Sequence, residues 1–177
     1  GTIGTPTLSS AALDKVGRLV WDAVSRNCDE HELLPLLAHL PTEADRLAAL
    51  NWSNLDSYFL YRPLCLAVKL GHYKALLALL RLGAEPNYVD KSGEAPIHKA
   101  CKHRSTLKTL AALLAHGADV DVLNAHRETP LYVAVSEQNQ EAAVFLIESG
   151  CNWKKKCRRG RECTTVVRLQ GGGGGPG

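Results

Sequence analysis

The 177-residue chain has no methionine, only two phenylalanines and three tryptophans, and an aromatic content of 6%. With Gly1 where an initiating Met would stand, a processed chain or a fragment is expected. No apolar run approaches the ~20 residues a helix needs to cross a bilayer, so no membrane span is expected. The N-terminus shows no secretory signal pattern. The six cysteines, at positions 28, 65, 101, 151, 157 and 163, include no Cys-x-x-Cys pair. Cys151, Cys157 and Cys163 are evenly spaced, but zinc would need a fourth ligand and usually closer pairs. The seven histidines show no paired metal-ligand spacing. There is no phosphate-binding Gly loop, no nucleophile elbow and no His-Glu-x-x-His. These absences argue against an enzyme, a metal and a cofactor.

What is present is repetition. Arg62-Pro63-Leu64-Cys65-Leu66-Ala67 returns as Ala95-Pro96-Ile97-His98-Lys99-Ala100 and as Thr129-Pro130-Leu131-Tyr132-Val133-Ala134. The prolines are 33 and then 34 residues apart. Leu79-Leu80-Arg81-Leu82-Gly83-Ala84, Leu113-Leu114-Ala115-His116-Gly117-Ala118 and Leu146-Ile147-Glu148-Ser149-Gly150-Cys151 keep the same rhythm. Two markers in one register define a repeat of about 33 residues. Each proline suits the first turn of a helix, where its missing N–H is not needed. A polar break follows, then a second helix with leucines at helical spacing. One such unit cannot bury its own apolar face, so neighbours must stack.

The period and the Thr-Pro-Leu-His-x-Ala-like core resemble the ankyrin repeat family, most closely in Asp90-Lys91-Ser92-Gly93-Glu94-Ala95-Pro96-Ile97-His98-Lys99-Ala100. The resemblance covers about residues 53–167 and implies an all-α ankyrin-repeat solenoid, built of helix-turn-helix repeats with extended turn tips. The organisation expected is a flexible tail at 1–9, a degenerate cap repeat at about 11–40 and an inserted helix at about 42–50. Three clear repeats follow at about 57–89, 90–123 and 124–156, then a partial repeat at 157–167 and a Gly-rich tail at 168–177. Ser9 or Ser10 is read as the cap of the first helix, with Leu13, Val16, Val20 and Val24 on one face. Thr42-Glu43-Ala44-Asp45 gives a capping-box-like start to the insertion. Pro35 is expected to kink or shorten the helix that contains Leu33, Leu34, Leu36 and Leu37.

In that family the partner usually meets the turn tips and the inner face of the first helices. Carried over by position, the resemblance implies contacts through Tyr58, Phe59, Tyr61 and Lys69 in the first clear repeat. Next come Lys91, Glu94, Lys102 and His103, then His126, Glu128 and Glu137. Arg158, Arg159 and Arg161 follow at the last tip. The aromatic run at 58–61 has two readings, an exposed contact or rings covered by the 42–50 insertion. His72 and His98 are read as structural, and Trp153 as packed beneath its tip.

Charge is unevenly spread. Residues 154–168 hold seven basic residues against Glu162, a local +6 that leaves −3 on the rest of a chain whose net charge is +3. An acidic protein surface is one expected partner for this run; nuclear import or nucleic acid is another reading, and a solvated tip a third. Cys65, Cys101 and Cys151 fall at small positions of the repeat, where a thiol acts as a hydrophobe. That favours a reducing compartment, cytoplasmic or nuclear. The function expected is non-catalytic protein binding by a regulatory or scaffolding subunit, monomeric by itself, of an assembly built around a kinase or another enzyme. The alternatives are a substrate-recruiting subunit of a ubiquitin ligase, in truncated form, and nucleic-acid binding through the basic tip.

Overall fold

The computed structural model describes residues 8–56, 61–102 and 107–155. Among them are nine α-helices and no strand. The chain divides into two compact units, Gly1–Pro86 and Asn87–Gly177.

The first unit contains α1 (Ser10–Ser25), α2 (Glu30–Ala38), α3 (Glu43–Leu50), α4 (Pro63–Leu70) and α5 (Tyr73–Arg81). The helix α1 packs on α2, α3 and α4, while α2 packs on α5, so one helix pair lies on the next. Three starts are capped by side-chain oxygens that take up otherwise unpaired backbone N–H groups. Ser9 accepts from Ala12 at 3.3 Å, Asp29 from Glu32 at 3.2 Å, and Thr42 from Asp45 at 3.0 Å. Val20, Val24, Leu33, Leu50, Leu64, Leu76 and Leu79 fill the core. Pro35 neither ends nor shortens α2 at its own position; the helix runs on to Ala38.

A glycine inside a helix weakens it by roughly 0.5–1 kcal/mol relative to alanine, yet Gly17 sits in the middle of α1. The cause is Trp52. A Cβ at Gly17 would lie 2.2 Å from the indole Cγ. The ring meets Trp21 edge to face at 6.4 Å, the Arg18 guanidinium lies 5.7 Å from its centroid, and its Nε1–H donates to Asp14 at 3.2 Å. The polar break between α4 and α5 is tied back to α1: His72 Nδ1–H donates to the Val24 carbonyl at 2.9 Å.

The second unit contains α6 (Pro96–Lys102), α7 (Leu107–Ala115), α8 (Pro130–Ser136) and α9 (Gln140–Glu148). Here α6 packs on α8 and α7 on α9. Ile97, Ala100, Cys101, Leu110, Leu113, Ala134 and Leu146 are fully buried. Thr129 caps α8 ahead of Pro130, accepting from the Tyr132 N–H at 3.2 Å. Side-chain bridges join successive loops. Asn87 donates to the Gly117 carbonyl at 3.0 Å and accepts from the Asp119 N–H at 2.8 Å. Asp121 accepts from the Asn152 N–H at 3.0 Å, and Asn139 donates to the Cys101 carbonyl at 3.1 Å.

Candidate functional site

The two described turns of the second unit, 90–94 and 124–128, share one backbone plan. Asp90 Oδ1 accepts from the N–H groups of Ser92 (2.8 Å) and Glu94 (3.3 Å); Asn124 Oδ1 accepts from His126 and Glu128, both at 2.9 Å. A turn hydrogen bond closes each, Gly93 N–H to Asp90 at 2.8 Å and Arg127 N–H to Asn124 at 2.9 Å. The fourth residue takes the left-handed backbone in both, φ 77° at Gly93 and 60° at Arg127. The turns abut: the Ala125 N–H donates to the Gly93 carbonyl at 2.9 Å. A Cβ at Gly93 would fall 2.1 Å from that of Ala125. Glycine at 93 therefore serves both the turn and the close approach.

His98 joins the same two repeats. Its Nδ1 accepts from the Ala95 N–H at 3.3 Å, which leaves the proton on Nε2 to donate to the Glu128 carbonyl at 3.1 Å. The ring is fully buried. Burial lowers its pKa and keeps it neutral, outweighing the backbone carbonyls and carboxylates that favour the charged form.

Beneath the first turn lies a buried charge cluster. Lys99 Nζ is 2.8 Å from Asp90 and 3.4 Å from Glu94, with side-chain exposures of 6%, 0% and 10%. It also donates to Ser92 Oγ at 3.2 Å, while Lys102 pairs with Glu94. The same positions of the next repeat are Asn124 and Val133. There the acid and the base are both replaced by neutral residues, and the Asn124 amide donates to Glu128 at 3.0 Å. Sequence reasoning missed this cluster. Its signal was present in the chain, as Asp90 with Lys99 in one repeat and Asn124 with Val133 in the next.

The residues expected at the contact surface fare differently. Tyr61 is buried at 9%, with the Lys69 ammonium 4.9 Å from its ring centroid. As a surface contact it is therefore corrected: the ring underlies Lys69 rather than facing outward. Glu94 is likewise buried, at 8%, because Lys99 and Lys102 draw its carboxylate inward. Lys69, Lys91, Lys102, His126 and Glu137 are exposed, and Glu128 is half-buried. Tyr58, Phe59, His103, Arg158, Arg159 and Arg161 lie outside the described residues. Trp153 is 42% exposed, and Lys154 Nζ stands 4.9 Å from its ring centroid; the tip expected above it lies outside the described residues.

Cys28, Cys65, Cys101 and Cys151 are buried thiols. Burial, aided by Glu32 and Asp29, pushes the Cys28 thiol up to about 11; burial alone pushes Cys101 up to about 12. Neither is a nucleophile at neutral pH, because the thiolate is the reactive form. Among the described residues no group of three or more His, Cys, Asp or Glu is placed to hold a metal ion. No described helix is long and apolar enough to cross a membrane. In the first unit a cleft of about 700 Å³ is lined by Leu34, Pro35, Leu47, Leu82, Arg46 and Arg81 among others.

Comparison with known proteins matches residues 62–157 to a family model described as ankyrin repeats, three copies. The B-cell lymphoma 3 protein homolog of Mus musculus is 38% identical over 94 residues, covering 51% of this chain and 21% of that protein. Ankyrin repeat domain-containing protein 37 of Bos taurus is 35% identical over 111 residues, covering 61% of this chain and 70% of that protein. A probable E3 ubiquitin-protein ligase, XBOS31, of Oryza sativa subsp. japonica is 36% identical over 101 residues, 55% of this chain and 21% of that protein. The aligned region is thus about a fifth of the mouse and rice proteins and about two thirds of the bovine one.

Proposed function

The chain belongs to the ankyrin repeat family, and from that premise we propose that it is a non-catalytic protein-binding subunit. Its role is to regulate or scaffold an intracellular assembly built around a kinase or another enzyme. Repeats of this kind make a protein-protein interaction module. The observation that carries the reading is the construction of the two adjoining turns. The backbone N–H groups of 92–94 and 125–128 are spent internally, on Asp90, Asn124 and Gly93, while Lys91 and His126 stand outward. A stiff turn gives up little backbone freedom when a partner docks.

The contact residues proposed are Lys91, Lys102, His126 and Glu137 in the second unit and, taken by itself, Lys69 in the first. Tyr58, Phe59, His103, Arg158, Arg159 and Arg161 are added by their register in the sequence. An acidic partner surface suits the excess of cations in this set. The subunit is monomeric by itself and contacts neither membrane nor nucleic acid. Four buried thiols support a cytoplasmic or nuclear setting. Recruitment of substrates to a ubiquitin ligase is the second reading, favoured by the likeness to the rice protein, whose name carries that activity.

The test is affinity purification of the tagged chain from cells, followed by size-exclusion chromatography and mass spectrometry. One partner in stoichiometric amount is expected, together with a changed activity of that assembly when the chain is withdrawn. Elution of the chain alone at every salt concentration would reject the reading.

A further inference from the structure

We propose that the adjoining turns 90–94 and 124–128 form a cationic edge that binds a carboxylate-bearing peptide segment, with Lys91 and Arg127 as its contact residues. The inference rests on the protein-binding reading and gives that surface a ligand chemistry. Three carboxylates belong to these turns, and all are engaged within the fold. Asp90 and Glu94 face the buried Lys99, and Glu94 also pairs with Lys102. Glu128 accepts from the Asn124 amide at 3.0 Å. The cations are arranged the other way. Lys91 and Arg127 are exposed, and among the described residues neither has a carboxylate partner.

The hydrogen bond from Ala125 to Gly93 holds the two turns against each other. Lys91 precedes that junction by two residues, and Arg127 follows it by two. His126, also exposed, lies between the junction and Arg127. The edge thus offers an ammonium, an imidazole and a planar guanidinium able to grip a carboxylate with two parallel hydrogen bonds.

Arg127 stands where the preceding turn has Gly93, in a left-handed backbone that glycine adopts freely and arginine does not. Among the described residues its side chain makes no bond that would account for it there. A contact outside the chain supplies a reason. A polyphosphate strand is a poorer ligand, because the chain outside residues 154–168 carries a net −3. A pair of carboxylates meets the local cations without spanning that acidic surround.

The test is selection of a random dodecapeptide library on the whole chain, then titration of the enriched peptides against Arg127→Gly, Arg127→Lys and Lys91→Ser. The enriched peptides should be rich in Asp and Glu. Arg127→Gly and Lys91→Ser should each weaken them about tenfold, and Arg127→Lys should fall between parent and Arg127→Gly, because the charge stays while the two-pronged grip is lost. Arg127→Gly should melt at or above the temperature of the parent, which separates lost binding from lost folding. Should it fail to fold, Lys91→Ser carries the test alone. Peptides without acidic residues, or affinities that both variants leave unchanged, would overturn the edge while leaving protein binding intact. Tighter binding of single-stranded DNA through the same two residues would also overturn it. A chain that enriches no peptide would count against the edge and the broader reading together.

Discussion

Transplanting the neutral pair of one repeat into the other tests the charge cluster under the 90–94 turn. Lys99→Val removes the cation 2.8 Å from Asp90 Oδ2, on a carboxylate with no exposed side-chain surface. Breaking a buried pair from one side leaves an uncompensated charge, a loss of about 3–5 kcal/mol. Asp90→Asn alone is milder. The amide keeps an acceptor for the Ser92 and Glu94 N–H groups, and Lys99 keeps Glu94 at 3.4 Å, so about 1–2 kcal/mol is expected. The double variant rebuilds the arrangement already present at Asn124 and Val133, where the amide donates to the following glutamate at 3.0 Å. It should return to within about 1 kcal/mol of the parent, a coupling energy of about 3 kcal/mol or more. Urea denaturation followed by far-ultraviolet circular dichroism reads all four corners of the cycle. Losses that simply add, leaving the double variant the least stable, would refute the reasoning. So would a Lys99→Val variant as stable as the parent.

Two further expectations concern the packing. Gly17→Ala should destabilise the chain by about 1–2 kcal/mol, because overpacking against Trp52 outweighs the roughly 1 kcal/mol that alanine adds to a helix; a higher urea midpoint with unchanged tryptophan emission would contradict the Gly17–Trp52 contact. His98 has its pKa lowered in the folded state, so below the unfolded value near 6.5 the unfolded chain binds the extra proton. Stability should therefore fall as pH drops from about 7.5 to about 5.5, and His98→Asn should flatten that slope; an equal slope in both proteins would move its origin to other groups.

Much of the fold was legible because it is local and repeated. Pro63, Pro96 and Pro130 each open a helix, and Ser9 and Thr42 cap theirs by side-chain chemistry that acts within three residues. Apolar spacing gave the buried stripe of α1, since Val20 and Val24 fall on one face whatever they pack against. The mid-helix Gly17 was illegible for the opposite reason. Its purpose is a ring 35 positions further on, and no spacing rule links the two. At Pro35 the helix carries on to Ala38, with Leu33 and Leu37 buried on either side of it.

The candidate surface divides along the same line. By itself the sequence determined the repeat, its two-helix unit, the positions of the turns and the excess of basic residues near one end, because each depends on neighbours a few residues away or on simple periodicity. Only the tertiary structure decided which charges of those turns face outward. Glu94 and Lys91 lie three positions apart in one turn, yet one carboxylate is drawn inward by Lys99 and Lys102 while the nearby ammonium is left exposed. Tyr61 turned from a candidate contact into a buried ring in the same way. The physical reason is that burial and ion pairing are set by which side chains the stacked helices bring together, and that pairing joins residues that local sequence does not connect.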